Sequence, residues 1–259
     1  MLALAFGPIV SNPASAAVSA PTGKWVVDYE DQACVATRQY GTETKPLFLA
    51  LKPSPMGDVM QLSVIRKGSS DGLGVEEFGH VSFDQRPDVP VSMLSFGSRG
   101  GLHSTRINLS GEDFAAMRSA GQLHIHGSFL DETLVLEQLP ELMKQIDACV
   151  LDLQTAWNMG TNAKSKIKTR AKGSLVGLFS SADYPEQSLR NMEHGSVAVV
   201  LLINELGKVA DCVVTATSGV AALDSQACAI IAERAKFLPA IGFDDKPTRD
   251  SFFQRVSWQ

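Results

Sequence analysis

Nowhere does the 259-residue chain present the roughly eighteen consecutive apolar residues that a membrane-crossing helix needs. Nor is there an excess of positive charge. Lys and Arg number 23 against 28 Asp and Glu, a formal net charge of −5, which argues against nucleic acid as a partner because phosphate binding leans on a basic surface. A phosphate-cradling Gly-Lys-Ser/Thr loop and a His-Glu-x-x-His helix are both missing, and no Cys-x-x-Cys spacing opens a zinc site. His124 and His126 alternate on a strand-like run and so face one side, a geometry a metal could use. No third ligand stands close by in the reading, so they count as histidines of a solvated strand face and no metal is assigned. Gly68 to Gly74 and Gly97 to Gly101 have the composition of turns between strands. Asp224, near the start of an expected helix, reads as a carboxylate favoured by the helix dipole rather than as a general base. No catalytic residue, cofactor or small-molecule substrate is assigned, and the chain is expected not to be an enzyme.

What is present is an ordinary globular composition, 44% hydrophobic and 20% charged, with room for two domains. Met1 to Val10 is apolar and Ala14-Ser15-Ala16 fits the small-x-small rule for signal peptidase, so residues 1–22 are expected to be an export signal remnant and leader. No basic residue precedes the apolar stretch. The reading therefore stays open between an atypical cleaved signal and a start that lies upstream, the latter allowing a membrane anchor. Residues 23–158 follow as short strand-like runs: Trp25 to Tyr29, Ala33 to Gln39, Leu47 to Leu51, Met60 to Arg66, Val75 to Phe83, Val91 to Phe96, Leu102 to Leu109 and Leu123 to Phe129. Their spacing is that of an antiparallel sandwich or barrel. A short helix is expected around Glu112 to Ser119. A longer one follows, with Leu139, Leu142, Met143, Ile146, Cys149, Val150, Leu153 and Trp157 at three-and-four spacing and Pro140 in its tolerated first turn. Residues 159–182 carry Lys164, Lys166, Lys168, Arg170 and Lys172 with no acid before Asp183, the pattern of a basic interdomain linker.

Residues 183–259 change character. Tyr184-Pro185 precedes a short polar helix ending near Gly195. Val197, Val199, Leu201 and Ile203 then alternate with Ala198, Val200 and Leu202, so this strand is apolar on both faces and should be covered on each. Asn204-Glu205-Leu206-Gly207 supplies a hairpin turn, and Lys208 to Thr217 the antiparallel return. From Val220 to Lys236 the spacing is helical, with Leu223, Ala227, Ile230, Ile231 and Ala235 on one stripe, and Pro239 stops it. Asp250 to Gln259 alternates as a last strand. The whole chain is thus expected to be α+β, a β-rich, sandwich-like N-terminal domain with a C-terminal helix followed by a small domain of helix, β-hairpin, helix and strand.

Four cysteines fit an exported chain that meets an oxidising compartment. Pairing Cys34 with Cys149 and Cys212 with Cys228 keeps each bridge inside one domain and is favoured over the other connectivities. Buried free thiols and a zinc site are the competing readings.

The joint occurrence of Tyr184-Pro185, GSVAVVLLINELGKVADCVV, Thr217-Ser218-Gly219, Leu223-Asp224, Phe237-Leu238-Pro239-Ala240 and FFQRVSW, in that order, resembles the C-terminal domain of the TonB family, the energy transducers of the Gram-negative periplasm. Less specifically, Trp25, ACVATRQYG and the helix ending in Cys149, Leu153 and Trp157 resemble regions found ahead of such domains in exported alphaproteobacterial proteins. The family resemblance implies a periplasmic interaction module that takes part in transport. Its last strand would receive a short extended segment, the TonB box of an outer-membrane transporter, along its edge. Carried over, the peptide-binding residues are Asp250, Ser251, Phe252, Phe253, Gln254, Arg255, Val256, Ser257 and Trp258, with Phe252, Gln254, Val256 and Trp258 setting selectivity. The alternative is a structural envelope protein that binds peptidoglycan through the basic linker or self-associates as a homodimer. TonB's Pro-rich spacer and membrane helix have no counterpart in these residues, and energy transduction is not expected of the chain as given.

Overall fold

A computed structural model of the chain describes residues 18–68, 74–98 and 101–259. The expected signal at Met1 to Ala16 and parts of the two glycine-rich turns lie outside these residues. In chain order the N-terminal elements are β1 (Val18–Ser19), β2 (Val26–Tyr29), β3 (Cys34–Gly41), β4 (Pro46–Pro53), β5 (Val59–Lys67), β6 (Val75–Phe83), β7 (Val89–Ser98), β8 (Leu102–Ser110), α1 (Gly111–Met117), β9 (Gln122–His126), β10 (Asp131–Val135) and α2 (Leu139–Ala156). Alternation is strict in β3 and β4. Both bury every second residue, and their register sets Ala36, Arg38 and Tyr40 opposite Leu51, Leu49 and Leu47, so these residues and Cys34 share one face of the sheet, with the period a pleated strand imposes.

The ten strands form one hydrogen-bonded sheet in the order β1-β10-β9-β6-β7-β8-β5-β4-β3-β2, not the two facing sheets of a sandwich. Its ends are drawn together. β1 runs parallel to β10, and a few residues later Pro21 bridges Tyr40 of β3 while the Thr22 amide donates to the Gln39 carbonyl at 2.9 Å. Across the same gap the Tyr40 hydroxyl donates to the Val135 carbonyl at 2.9 Å, and the Arg38 guanidinium donates to the Glu137 carbonyl at 2.5 Å and lies over the Trp25 ring. Burial pushes the Tyr40 hydroxyl up to about 12, so it stays a donor. The sheet curls, as a barrel does, because closure removes edges that would otherwise offer unpaired backbone. Leu49, Met60, Met93 and Ile107 fill its interior together with the apolar stripe of α2, and the Cys34–Cys149 disulfide ties α2 to β3.

The C-terminal part continues with α3 (Thr161–Lys166), β11 (Ile167–Thr169), β12 (Lys172–Gly173), α4 (Glu186–Arg190), β13 (Gly195–Ile203), β14 (Val209–Ala216), α5 (Ala221–Arg234), β15 (Phe237–Leu238), β16 (Ala240–Gly242), β17 (Pro247–Thr248) and β18 (Asp250–Trp258). The stretch read as a solvated linker is built into this domain. β11 pairs with β16 and β12 with β15, and Ala163, Ile167 and Ala171 are buried in the second core. The apolar residues between the lysines, invisible to a count of charge, account for the difference. The central sheet has the order β14-β13-β18, all antiparallel. Gly207 turns the β13–β14 hairpin at φ +73°, and a Cβ there would stand 2.0 Å from the Phe237 carbonyl oxygen. Positive φ and close approach together require glycine.

β13 is covered on both faces, as its composition implies. Val197, Val199, Leu201 and Ile203 pack beneath α5, whereas Val200 and Leu202 belong to the same core as the N-terminal sheet. The Cys212–Cys228 disulfide staples β14 to α5.

Candidate functional site

The two edges of the small sheet differ. β14 lies toward the N-terminal sheet, where Asp211 pairs with Lys52 at 2.9 Å and Ala210 packs on the N-terminal core. β18, the strand singled out from the sequence, pairs with β13 alone, from Ile203 opposite Asp250 to Gly195 opposite Trp258. Its outer side faces residues 173–184 across a groove of about 610 Å³ lined by Leu175, Val176, Phe179, Phe252, Gln254 and Trp258.

In an antiparallel strand, alternate residues direct their backbone groups to opposite sides. Ser251 marks the outward set: its amide donates to the Asp250 carboxylate at 2.8 Å and its carbonyl accepts from Arg170 at 2.8 Å. Phe253, Arg255 and Ser257, at intervals of two, share that direction.

The beginning of the edge is closed. The buried Asp250 carboxylate accepts from Arg170 Nε and from the Ala171 amide, each at 2.8 Å, so Asp250 and Ser251 anchor the strand to residues 170–171 and leave no pairing edge there. Sequence reading placed both among peptide contacts because the partners, some eighty residues earlier in what reads as linker, cannot be foreseen from a strand pattern.

The side chains also divide. Val256 and Trp258 are buried in the second core, so they hold β18 on the domain and only their margins reach the groove. Trp258 is stacked edge-on by Phe179 and Tyr184, with ring centroids 5.7 Å and 5.3 Å away, geometry that aromatic quadrupoles favour. The indole nitrogen of Trp258 has no hydrogen-bond partner among the described residues. Phe252 is half-buried against Phe237, Gln254 is half-buried, and Phe253 and Arg255 are exposed.

The groove's far wall is held by Asp183. Its carboxylate accepts from Arg234 of α5 through two nitrogens at 2.9 Å and 2.7 Å and from the Ser180 amide at 2.7 Å. The Arg234 hydrogen bonds, then those from Ser180, hold the Asp183 carboxyl well below the usual carboxylate range. The wall is thereby fixed to the helix.

The basic stretch is less free than its sequence suggests. Lys168 pairs with Asp245 and Arg170 with Asp250, which removes two of its five cations from any anionic partner. A literal Gly-x-Ser-x-Gly at Gly68 to Gly72 joins the two antiparallel strands β5 and β6 rather than a strand and a helix, so it lacks the context of a nucleophile elbow; residues 69–73 lie outside the described residues. Asp224 is buried beside Thr217 and Ser218, accepting from the Thr217 hydroxyl at 2.6 Å and the Ser218 amide at 2.8 Å. Burial outweighs these hydrogen bonds and raises its carboxyl above the ordinary range.

Residues 180–258 match the family of the Gram-negative bacterial TonB protein C-terminal. This part of the chain is a TonB C-terminal domain. No curated protein and no solved structure matches the chain. Among the described residues, no helix is long and apolar enough to cross a membrane.

Proposed function

We propose, on the premise that residues 180–258 are a TonB C-terminal domain, that the protein is an interaction protein of the Gram-negative envelope. In this reading it works in the periplasm and captures an extended peptide as a fourth strand against β18. The observation that carries the reading is the outer edge of β18 from Phe253 to Ser257, unpaired in the sheet and open to an aromatic-walled groove. Strand addition draws its affinity from backbone hydrogen bonds and its selectivity from pockets that receive alternate side chains.

A five-residue strand spans about 17 Å at 3.4 Å per residue, enough to run along the open part of β18 beside Val176 and Phe179. Phe252 and Gln254, half-buried on the groove side, would meet the peptide's side chains, while Val256 and Trp258 act through the shape of the wall. The partner that fits is the TonB box of an outer-membrane transporter. No enzymatic step enters this reading.

Calorimetric titration of a TonB-box peptide into the full chain tests it. The full chain is needed because Ala163, Ile167 and Ala171 are part of the second core and a fragment beginning at 183 would lack them. Saturable 1:1 binding is expected. A chain that binds no such peptide, but dimerises through β18, would instead support self-association.

A further inference from the structure

The β9–β10 hairpin brings together groups that the strand-addition reading does not use. His124 and His126 lie two residues apart on β9, and Asp131 of β10 stands directly opposite His126, so all three side chains project from one face. The His124 Nε2 lies 3.1 Å from Asp131 Oδ1 and the His126 Nδ1 lies 3.6 Å from the same oxygen. The three ligand atoms fall within 4.8 Å of one another. Ligands around a tetrahedral ion with bonds near 2.0–2.1 Å are separated by about 3.4 Å, so rotations of the two imidazoles suffice to close the set. His80 of β6 is the cross-strand partner of His126 on its other side. Opposite residues on neighbouring strands share a face at about 5 Å, which brings a third imidazole within reach.

The hairpin is held in place from below. Glu77 of β6 accepts from the Ser128 amide at 2.6 Å and the Phe129 amide at 3.2 Å, and a Cβ on Gly127 would stand 3.0 Å from the same carboxylate. The donor set is exposed to solvent and backed by a pinned turn.

We propose that His124, His126 and Asp131, with His80 in reach, form a site for a divalent transition metal ion that favours imidazole, zinc or copper. Two or three imidazoles and one carboxylate suit those ions and not the oxygen-seeking calcium or magnesium. The missing ligand in a reading of the sequence was Asp131. It lies five residues beyond His126, and nothing short of knowing that residues 127–130 turn back identifies it as a neighbour.

The test uses the full chain free of affinity-tag histidines, stripped of metal, and titrated calorimetrically with ZnCl2 and separately with CuCl2. One ion per chain is expected for whichever metal is preferred. Asp131→Asn and His124→Gln should each weaken binding by about tenfold or more, whereas His103→Ala with His194→Ala should leave it unchanged. The circular dichroism of each variant shows whether it is folded. With Cu²⁺, electron paramagnetic resonance should show coupling to at least two imidazole nitrogens, lost in part in His124→Gln. Stoichiometric binding that survives Asp131→Asn and His124→Gln, or no binding of either ion to the parent chain, would overturn the proposal.

Discussion

The Glu76 carboxylate, on β6 of the N-terminal sheet, accepts the Ala221 amide of α5 at 2.6 Å. Its second oxygen takes the Ala222 amide at 3.1 Å, and the Ser92 hydroxyl donates to the first oxygen and itself accepts from the Ala221 amide at 2.9 Å. The first turn of a helix leaves amides without partners. Here the other domain supplies the cap, as a charge placed where the helix dipole favours it.

Replacing Glu76 by Ala should therefore destabilise the protein by about 1–3 kcal/mol, the cost of leaving buried donors unsatisfied. Urea unfolding followed by far-UV circular dichroism reads this. A Ser92→Ala change, which removes only one donor to the same carboxylate, should cost less.

Glu76 and Asp183 should bend the pH dependence of stability in opposite directions. Burial raises the Glu76 carboxyl above its ordinary range, so its protonated form is favoured by folding. That contribution is fully present below the unfolded value near 4.3 and is lost as pH rises through the raised folded value. Asp183 is depressed; its contribution is present above the unfolded value near 3.9 and is lost as pH falls through the folded one. Urea midpoints of Glu76→Gln and Asp183→Asn against the parent chain across that range should show the Asp183→Asn deficit shrinking toward acid. The Glu76→Gln difference should move in that variant's favour as pH rises.

The strand pattern, the helix periodicity and the β13 composition made most of the fold legible. Val197 to Ile203 carried enough apolar residues on both faces to state that two layers would cover them, and the layers are α5 and the N-terminal sheet. What could not be read were partnerships across long stretches of chain. Arg170 and Asp250, Glu76 and Ala221, Tyr40 and Val135 all depend on how the sheets are placed. β10 was hidden because Asp131 and Glu132 mask its alternation, and Leu123 to Phe129 ran the preceding strand through what is the turn. The site residues divide for the same reason: strand periodicity places β18, but only the tertiary contacts show that its first two residues are sealed.

The two disulfides close loops of very different size, with sequence separations of 115 for Cys34–Cys149 and 16 for Cys212–Cys228. On the chain-entropy model, loops of such lengths contribute roughly 4.7 and 3 kcal/mol. Paired serine substitutions at Cys34 and Cys149 should thus lower the urea midpoint more than the same change at Cys212 and Cys228.

Arg255→Pro separates backbone capture from side-chain contact. Proline is tolerated at an edge where the amide faces away from the sheet, so the fold should persist, as far-UV circular dichroism would show. One intermolecular hydrogen bond is lost. Peptide affinity should fall about tenfold, equivalent to roughly 1.4 kcal/mol, while Arg255→Ala, which keeps the amide, should bind far more nearly as the parent does.

Backbone amide shifts of the ¹⁵N-labelled full chain, recorded while a TonB-box peptide is added, address strand addition most directly. The largest changes are expected at Phe253, Arg255 and Ser257, with Asp250 and Ser251 little affected because Arg170 and Ala171 already occupy that end. Binding that leaves the amides of Phe253, Arg255 and Ser257 unmoved while shifting residues elsewhere would contradict the account.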